Sequence, residues 1–419
     1  MKLAVIGGGS TYTPELVDGL CRLSAGLPVD ELVLMDPSLE RLDLVGGVSR
    51  RILKAFGHNA ELSTTTDLTA AVDGADAVLV QLRVGGQATR LSDETWPLEC
   101  GCVGQETTGA GGLAKALRTV PQVLAIAEQV RRSNPDSWIV DFTNPVGIVT
   151  RALLQEGHRA VGLCNVGIGF QRRFAAMLDV EPDRITLDHL GLNHLTWERG
   201  VLVDGIDVLP ELLARHLDEI ADDLGMPATL VAMLGSVPSY YLRYFYLHDA
   251  VVEELRTRPS RAAEVAAIES RLLELYADPA VDHKPVELEQ RGGAYYSEAA
   301  VALVASLLGK QPGRTHVVNV RNDGTLPFLD RDHVVEVSAR VDATGPHPAE
   351  VPAVEPVYAG LIAHVAAYER LALDAAVHGG RDRVFQALLA HPLVGQVDLA
   401  EGLTDRLLAH NKEFLEWAR

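Results

Sequence analysis

Two features of the chain could do chemistry together: a run of glycines at the first strand-to-helix junction and, far downstream, a cysteine and a histidine that each follow an apolar segment. Lys2-Leu3-Ala4-Val5-Ile6 reads as a buried strand running into Gly7-Gly8-Gly9-Ser10-Thr11, and Pro14-Glu15-Leu16 opens a helix. Glycines at such a junction let the backbone approach a diphosphate, while the N–H groups and positive dipole end of the helix attract it. Tyr12 stands where the third glycine of the G-x-G-x-x-G pattern belongs, so the match is partial. The next strand, Glu31-Leu32-Val33-Leu34-Met35, ends in Asp36, the place of a ribose-binding carboxylate, which favours NAD over NADP. Gly7, Gly8, Gly9, Ser10, Thr11 and Asp36, with Arg83 after a later strand, are the candidate cofactor residues. The glycines alone also fit a tight turn in some other α/β protein.

Cys164-Asn165-Val166-Gly167 ends one strand and Gly191-Leu192-Asn193-His194 ends another, so both can face one cleft. A thiolate and an imidazole suit a divalent transition metal, and two protein ligands leave coordination positions for substrate oxygens and water. Each residue also has a plain structural role, since free cysteine is among the most buried residue types and a solitary histidine commonly only hydrogen-bonds its surroundings. Arg83 and Arg90 lie on the loop after the fourth strand, where guanidinium groups can grip a phosphate, and Arg291-Gly292-Gly293 is a second candidate. Asn144, at a strand end and fixed by Pro145, suits a polar contact to a ligand, while Glu106, Asn193 and Arg118 are candidates to orient ligands or the loop. Cys100 and Cys102 are one residue apart, an awkward spacing for a shared metal, and read as packing.

These residues need a scaffold that gathers strand ends. Apolar runs at 2–6, 31–35, 75–82, 138–142 and 160–163 alternate with helices, one of them the long amphipathic segment 113–132, which predicts a Rossmann-like, doubly wound parallel sheet over residues 1–165. Ligands in such sheets gather at the carboxyl ends of the strands, where Asp36, Arg83, Asn144, Cys164 and Asn165 fall. From 166 to 419 the alternation gives way to an α+β domain, with antiparallel strands at 185–190 and 195–203 and then mostly helical segments. A net charge of −20 argues against nucleic acid or an anionic membrane as the main partner. Four cysteines, no leader-like segment and no apolar stretch of spanning length predict a reduced, cytoplasmic protein.

Taken in order, the 7–14 loop, Arg83-Val84-Gly85-Gly86, Gly104-Gln105-Glu106-Thr107-Thr108-Gly109, Ala116-Leu117-Arg118-Thr119-Val120-Pro121, Phe142-Thr143-Asn144-Pro145, the cysteine and histidine motifs and Pro238-Ser239-Tyr240-Tyr241 resemble those of the family four glycoside hydrolases, the NAD- and metal-dependent glycosidases. The resemblance spans most of the chain. It implies that NAD oxidises the sugar C3 hydroxyl, a base removes the acidified C2 proton, the glycosidic oxygen departs by elimination, water adds at C1 and the hydride returns to C3, a route set apart from two-carboxylate hydrolysis. It implies Cys164 and His194 as ligands of a divalent metal such as Mn2+ that steadies the enediolate, and Tyr241 as the base. It also implies sugar and phosphate contacts from Arg83, Arg90, Asn144, Asn165, Asn193 and Arg291. Cys-Asn-Val resembles the 6-phospho-β-glucosidase branch, whose members usually have proline where this chain has Gly167. Asn165 replaces the acidic residue of the α-specific enzymes, so no strong general acid is apparent.

The expected substrate is thus a phosphorylated disaccharide or aryl glycoside, and the family implies a homodimer or homotetramer. Competing readings are another specificity in the family (6-phospho-α-glucosidase or α-galactosidase), a lactate or malate dehydrogenase-like enzyme that releases its reduced cofactor, and a non-catalytic NAD-responsive protein. The cysteine and histidine motifs argue against the last two.

Overall fold

In the computed structural model, which describes residues 1–292 and 295–418, the apolar runs of the first half are buried on both faces and pair in parallel. The strands β1 (Lys2–Ile6), β2 (Glu31–Met35), β3 (Glu61–Thr65), β4 (Ala77–Val80), β5 (Trp138–Asp141) and β6 (Ala160–Gly162) stand in the order β3-β2-β1-β4-β5-β6. This is the doubly wound order, with its crevice at the carboxyl ends of β1 and β4. Local chemistry starts the helices: Ser38 accepts from the Arg41 N–H at the head of Leu39–Ala55, and Asp67 from Thr69 and Ala70 at the head of Leu68–Val72. The helix expected at 113–132 runs from Gly109 to Ser133, and it is amphipathic only in its second half. Its residues 109–120 are wholly buried because the helix Pro356–His378 packs across it.

The second half does not build a separate sheet. β7 (Ile185–Leu192), β8 (Leu195–Val203), β9 (Ile206–Asp207), β10 (Val237–Pro238), β11 (Arg314–Arg321), β12 (Val334–Asp342) and β13 (Gly345–Pro348) extend the first, in the order β6-β11-β12-β7-β8-β10 with β13 on β12 and β9 on β8. The join is an antiparallel pairing of Gly162 with Asn319, and it needs glycine: a Cβ at 162 would lie 2.2 Å from the Thr150 hydroxyl and 2.8 Å from the Asn319 Cβ. Beyond 203 the described residues are mostly helical, as expected, with β11 and β12 as the long strands outside that expectation. Their valine-rich runs carry Asn319 and Glu336, polar residues that break the apolar pattern yet are fully buried. No helix among the described residues is long and apolar enough to cross a membrane.

Those polar residues satisfy one another across neighbouring strands. His189 on β7 faces Glu198 on β8 at 2.6 Å and Glu336 on β12 at 3.1 Å, and Glu336 accepts from Asn319 at 2.7 Å. Burial works against a charge on His189, but Glu198 and then Glu336 outweigh it and push the imidazole up to about 10. Burial would raise Glu336 too, yet the hydrogen bonds from His189, Asn193 and Asn319 hold it below its ordinary value. Glu198 is raised by burial. Removing the cation from between two buried carboxylates, as in His189→Gln, should cost about 3–5 kcal/mol near neutral pH. A raised histidine pKa stabilises fully below the unfolded value of 6.5 and loses that share as pH rises through about 10. The stability gap between wild type and His189→Gln in urea denaturation should therefore shrink from pH 7 toward pH 10; a constant gap would mean a neutral His189.

Candidate active site

A cleft of about 1350 Å³ opens along the carboxyl ends of the parallel strands, and Gly7, Ser10, Asp36, Arg83, Asn144 and Asn165 all line it. Gly7 turns the chain with φ +87°, and a Cβ there would sit 2.7 Å from the Gln81 carbonyl. Gly8 packs its α-carbon against Leu34, and the Gly9 N–H donates to Asp36 Oδ2 at 3.2 Å. Asp36 is thus built into the glycine loop while facing the cleft. Tyr12 takes the third-glycine position without closing the site, because its ring stands edge-on to Tyr296 at 6.1 Å in the cleft wall.

Thr11 departs from the expectation. Its side chain is fully buried and donates to Glu269 at 2.9 Å, while Arg291 donates to the same hydroxyl at 2.9 Å, so it ties the loop to the second half and does not face a ligand. Arg291 lines the cleft on the glycine-loop side with its charge matched by Glu269 at 3.1 Å. Gly293, named with it, lies outside the described residues.

The histidine sits in the two-residue turn between β7 and β8 with φ +63°, the left-handed conformation that tight hairpin turns use. Its Nδ1 meets the Thr107 hydroxyl at 2.8 Å. That hydroxyl donates its one proton to Gln105 Oε1, which also accepts from the Thr107 N–H, so it accepts from Nδ1–H. Nε2 is left with the lone pair. Burial lowers the imidazole to about 4, which keeps it neutral and competent as a ligand. Cys164 is buried and, against the expectation that it shares one cleft with His194, borders a second, smaller cavity and does not line the main one. Burial and then Glu336 raise its thiol, against the Val166 and Asn165 N–H groups and the Asn193 amide, which favour the thiolate. Asn193 itself is corrected from a substrate contact to a brace, since its amide donates to Glu336 at 2.8 Å and it lies off the main cleft.

Tyr241 stacks flat on His194, ring centroids 3.7 Å apart and planes 9° from parallel. Burial and then Cys164 push its phenol well above its ordinary value. No group of three or more potential ligands occurs among the described residues, so a cation here would rest on a thiolate and an imidazole with open positions. The donor set fits in kind: a neutral histidine with a fixed tautomer, a buried cysteine close enough to influence Tyr241, and a phenol that only nearby positive charge can ionise.

The other side of the cleft is cationic. Glu106, fully enclosed, takes Lys115 at 2.6 Å, Arg90 at 3.1 Å and a forked pair with Arg83, while Arg90 also reaches Glu94 at 2.8 Å. Burial alone would raise Glu106, but Lys115, Arg83 and Arg90 hold it well below its ordinary value. Three cations against two carboxylates leave one net positive charge. Arg90 belongs to the helix Gly86–Glu99 and not to the loop expected, and that helix's first residues also line the cleft. Asn144 Oδ1 is buried without a hydrogen-bond partner at the cleft edge, a group placed for a ligand. Arg118 lies elsewhere, bonded to Asp93 at 3.1 Å and to Asn411, so it braces helices and orients no ligand. Sequence reasoning missed Lys115, Gln105 and Thr107, although the last two fall in a quoted motif. It also missed Glu336 and Asn319, whose signal was a polar residue inside a valine run.

Two models of one family span the chain: Family 4 glycosyl hydrolase over residues 2–180 and the Family 4 glycosyl hydrolase C-terminal domain over residues 189–394. Over 99% of its length the chain is 37% identical to a probable 6-phospho-beta-glucosidase of Bacillus subtilis, 97% of which is covered. It is 35% identical to the 6-phospho-beta-glucosidase BglT of Thermotoga maritima, across 99% of this chain and 100% of the relative. A structure of the Thermotoga maritima 6-phospho-beta glucosidase determined with manganese, NAD+ and glucose-6-phosphate superposes with a TM-score of 0.92 over 99% of both chains, at 34% identity. A malate dehydrogenase of Salinibacter ruber, 17% identical with a TM-score of 0.54 over 91% of this chain and 99% of its own, shares the fold alone. With family models matched over both halves and relatives this similar along the whole length, the chain belongs to the family 4 glycosyl hydrolases.

Proposed function

We propose that this protein hydrolyses 6-phospho-β-glucosides by oxidation, elimination, addition and reduction, with NAD and a divalent metal such as Mn2+, as a cytoplasmic homo-oligomer. The observation that carries the reading is a single cleft holding a glycine loop, a ligand-competent His194 stacked on Tyr241, and a cationic cluster around Glu106. The β-specific relatives stand at 37% and 35% identity, whereas a phospho-alpha-glucosidase of Clostridium acetobutylicum stands at 29%. Four unpaired cysteines suit a reducing compartment.

Bound NAD would supply reversible hydride transfer at the sugar C3, and a cation at Cys164 and His194 would supply Lewis-acid stabilisation of charge on the C2 and C3 oxygens. The chain's own residues divide the remaining work. Gly7, Gly8, Gly9 and Ser10 form the pyrophosphate cradle, and Asp36 takes the ribose. Arg83 and Arg90, with Lys115 behind them, bind the 6-phosphate, and the Asn144 and Asn165 amides orient the sugar hydroxyls. Tyr241 removes the C2 proton. In this division residues 1–165 carry the cofactor and residues 166–419 complete the substrate and metal side.

Three experiments test this. A 6-phospho-β-glucoside deuterated at C2, turned over with NAD and manganese, should lose its label to solvent with no net NADH; retained deuterium sinks the mechanism, and accumulating NADH would favour a dehydrogenase. Tyr241→Phe should lower label exchange and turnover by about 10²–10⁴-fold while NAD binding is kept. Phenyl β-glucoside should be a far poorer substrate than its 6-phosphate, and Arg90→Met should cut that preference by about 10–100-fold through kcat/KM; an unchanged preference would move the phosphate site elsewhere.

A further inference from the structure

We infer that Tyr240 forms a leaving-group subsite, a rigid aromatic wall that receives aglycones presenting a flat apolar face, such as an aryl ring or the face of a second pyranose. The inference rests on the proposed activity. Tyr240 opens the short 3-10 turn Tyr240–Leu242, lines the cleft, and remains 42% exposed, an unusual state for a large ring in a cleft wall. Mobility does not account for that exposure. Arg243 Nη1 donates to its hydroxyl at 2.5 Å, the guanidinium lies 5.0 Å from the ring centroid, and Glu254 anchors Arg243 while also accepting from Arg258 at 2.8 Å. The ring is thus ordered before any ligand arrives, which lowers the entropic cost of stacking on it.

Its position follows from the chemistry next to it. Tyr240 stands edge-on to Tyr241, 6.3 Å between centroids and 80° between planes, and edge-on to Tyr244 at 6.4 Å and 84°. If Tyr241 takes the proton from C2, then C1 is one bond away, and the group attached to C1 must leave past the neighbours of Tyr241. The Arg83, Arg90 and Lys115 side is committed to an anion, and the glycine loop to the nucleotide. Tyr240, with Arg243 over one face of its ring, presents the rest of its exposed ring surface to the cleft, and the carbon-bound hydrogens of a pyranose or the face of an aryl group are what such a ring recognises.

The experiment compares phenyl and methyl 6-phospho-β-glucosides as substrates of the NAD- and manganese-loaded wild type, Tyr240→Ala, Tyr240→Phe and Arg243→Met. In Tyr240→Ala the phenyl-to-methyl ratio of kcat/KM should fall about 5- to 20-fold, with the loss in KM for the phenyl glycoside and not in kcat. Tyr240→Phe keeps the ring and should hold the ratio within about threefold, while Arg243→Met, which frees the ring, should lower it in the direction of the alanine variant. An equal loss on both glycosides, or a ratio unmoved by Tyr240→Ala, overturns the subsite and leaves the proposed activity standing. A wild type that turns over neither glycoside brings down the activity first, and the subsite with it.

Discussion

The carboxylate of Glu106 is the interaction on which the rest of the cleft depends. Arg83, Arg90 and Lys115 converge on it in a space largely closed to water, and without it three like charges would repel one another at short range. Burial and Arg83 lower Lys115 to about 8 against the pull of Glu106, so the lysine charge persists near neutral pH only while that carboxylate is present. The same short loop reaches further. Thr107, the next residue, fixes the His194 tautomer, and Gln105 fixes Thr107. One loop therefore sets the anion site on the parallel side of the sheet and the imidazole on the antiparallel side.

The two halves are fastened a second time at the glycine loop. Glu269 and Arg291 hold Thr11, and the Tyr276 hydroxyl donates to the Thr11 carbonyl at 2.7 Å, so the helix Arg261–Ala277 closes over the cradle. Arg51 locks the end of that helix by donating to the Tyr276 and Val281 carbonyls at 2.8 and 2.6 Å. In the proposed reaction the hydride taken from a substrate returns to the same molecule, so a nucleotide held in this cleft would not have to leave between the two transfers.

What could be read from the sequence was what is local. Gly7, Ser10, Asp36, Asn144 and Asn165 follow strand ends by one to four residues, and the doubly wound rule alone carries them to one crevice. The direction of a side chain is not local, which is why Thr11 and Asn193, each beside a residue that faces the cleft or the metal pair, turn toward Glu269 and Glu336. Arg118 stands in a quoted motif but points into a helix contact, because its helix is buried all round at that level. Glu336 and Asn319 are legible only once β12 and β11 are seen to stand beside β7 in one sheet; in the sequence they are polar interruptions in valine runs. Tyr241 could be chosen among four nearby tyrosines only through the family resemblance, and the His194 stack gives it a physical reason.

The burial of Tyr241 links its basicity to the cation site. Burial and then the neighbouring thiol raise its phenol, which favours the protonated form. Positive charge at Cys164 and His194 would reverse that balance at close range, since the His194 ring lies flat against the phenol at 3.7 Å. The same charge would acidify the proton that the phenol has to remove. A base exposed to water would be available regardless of the cation, whereas one buried against a cation ligand is switched on only where the substrate proton has also become labile. In the proposed reaction, proton abstraction and stabilisation of the resulting charge would then be two consequences of one electrostatic arrangement.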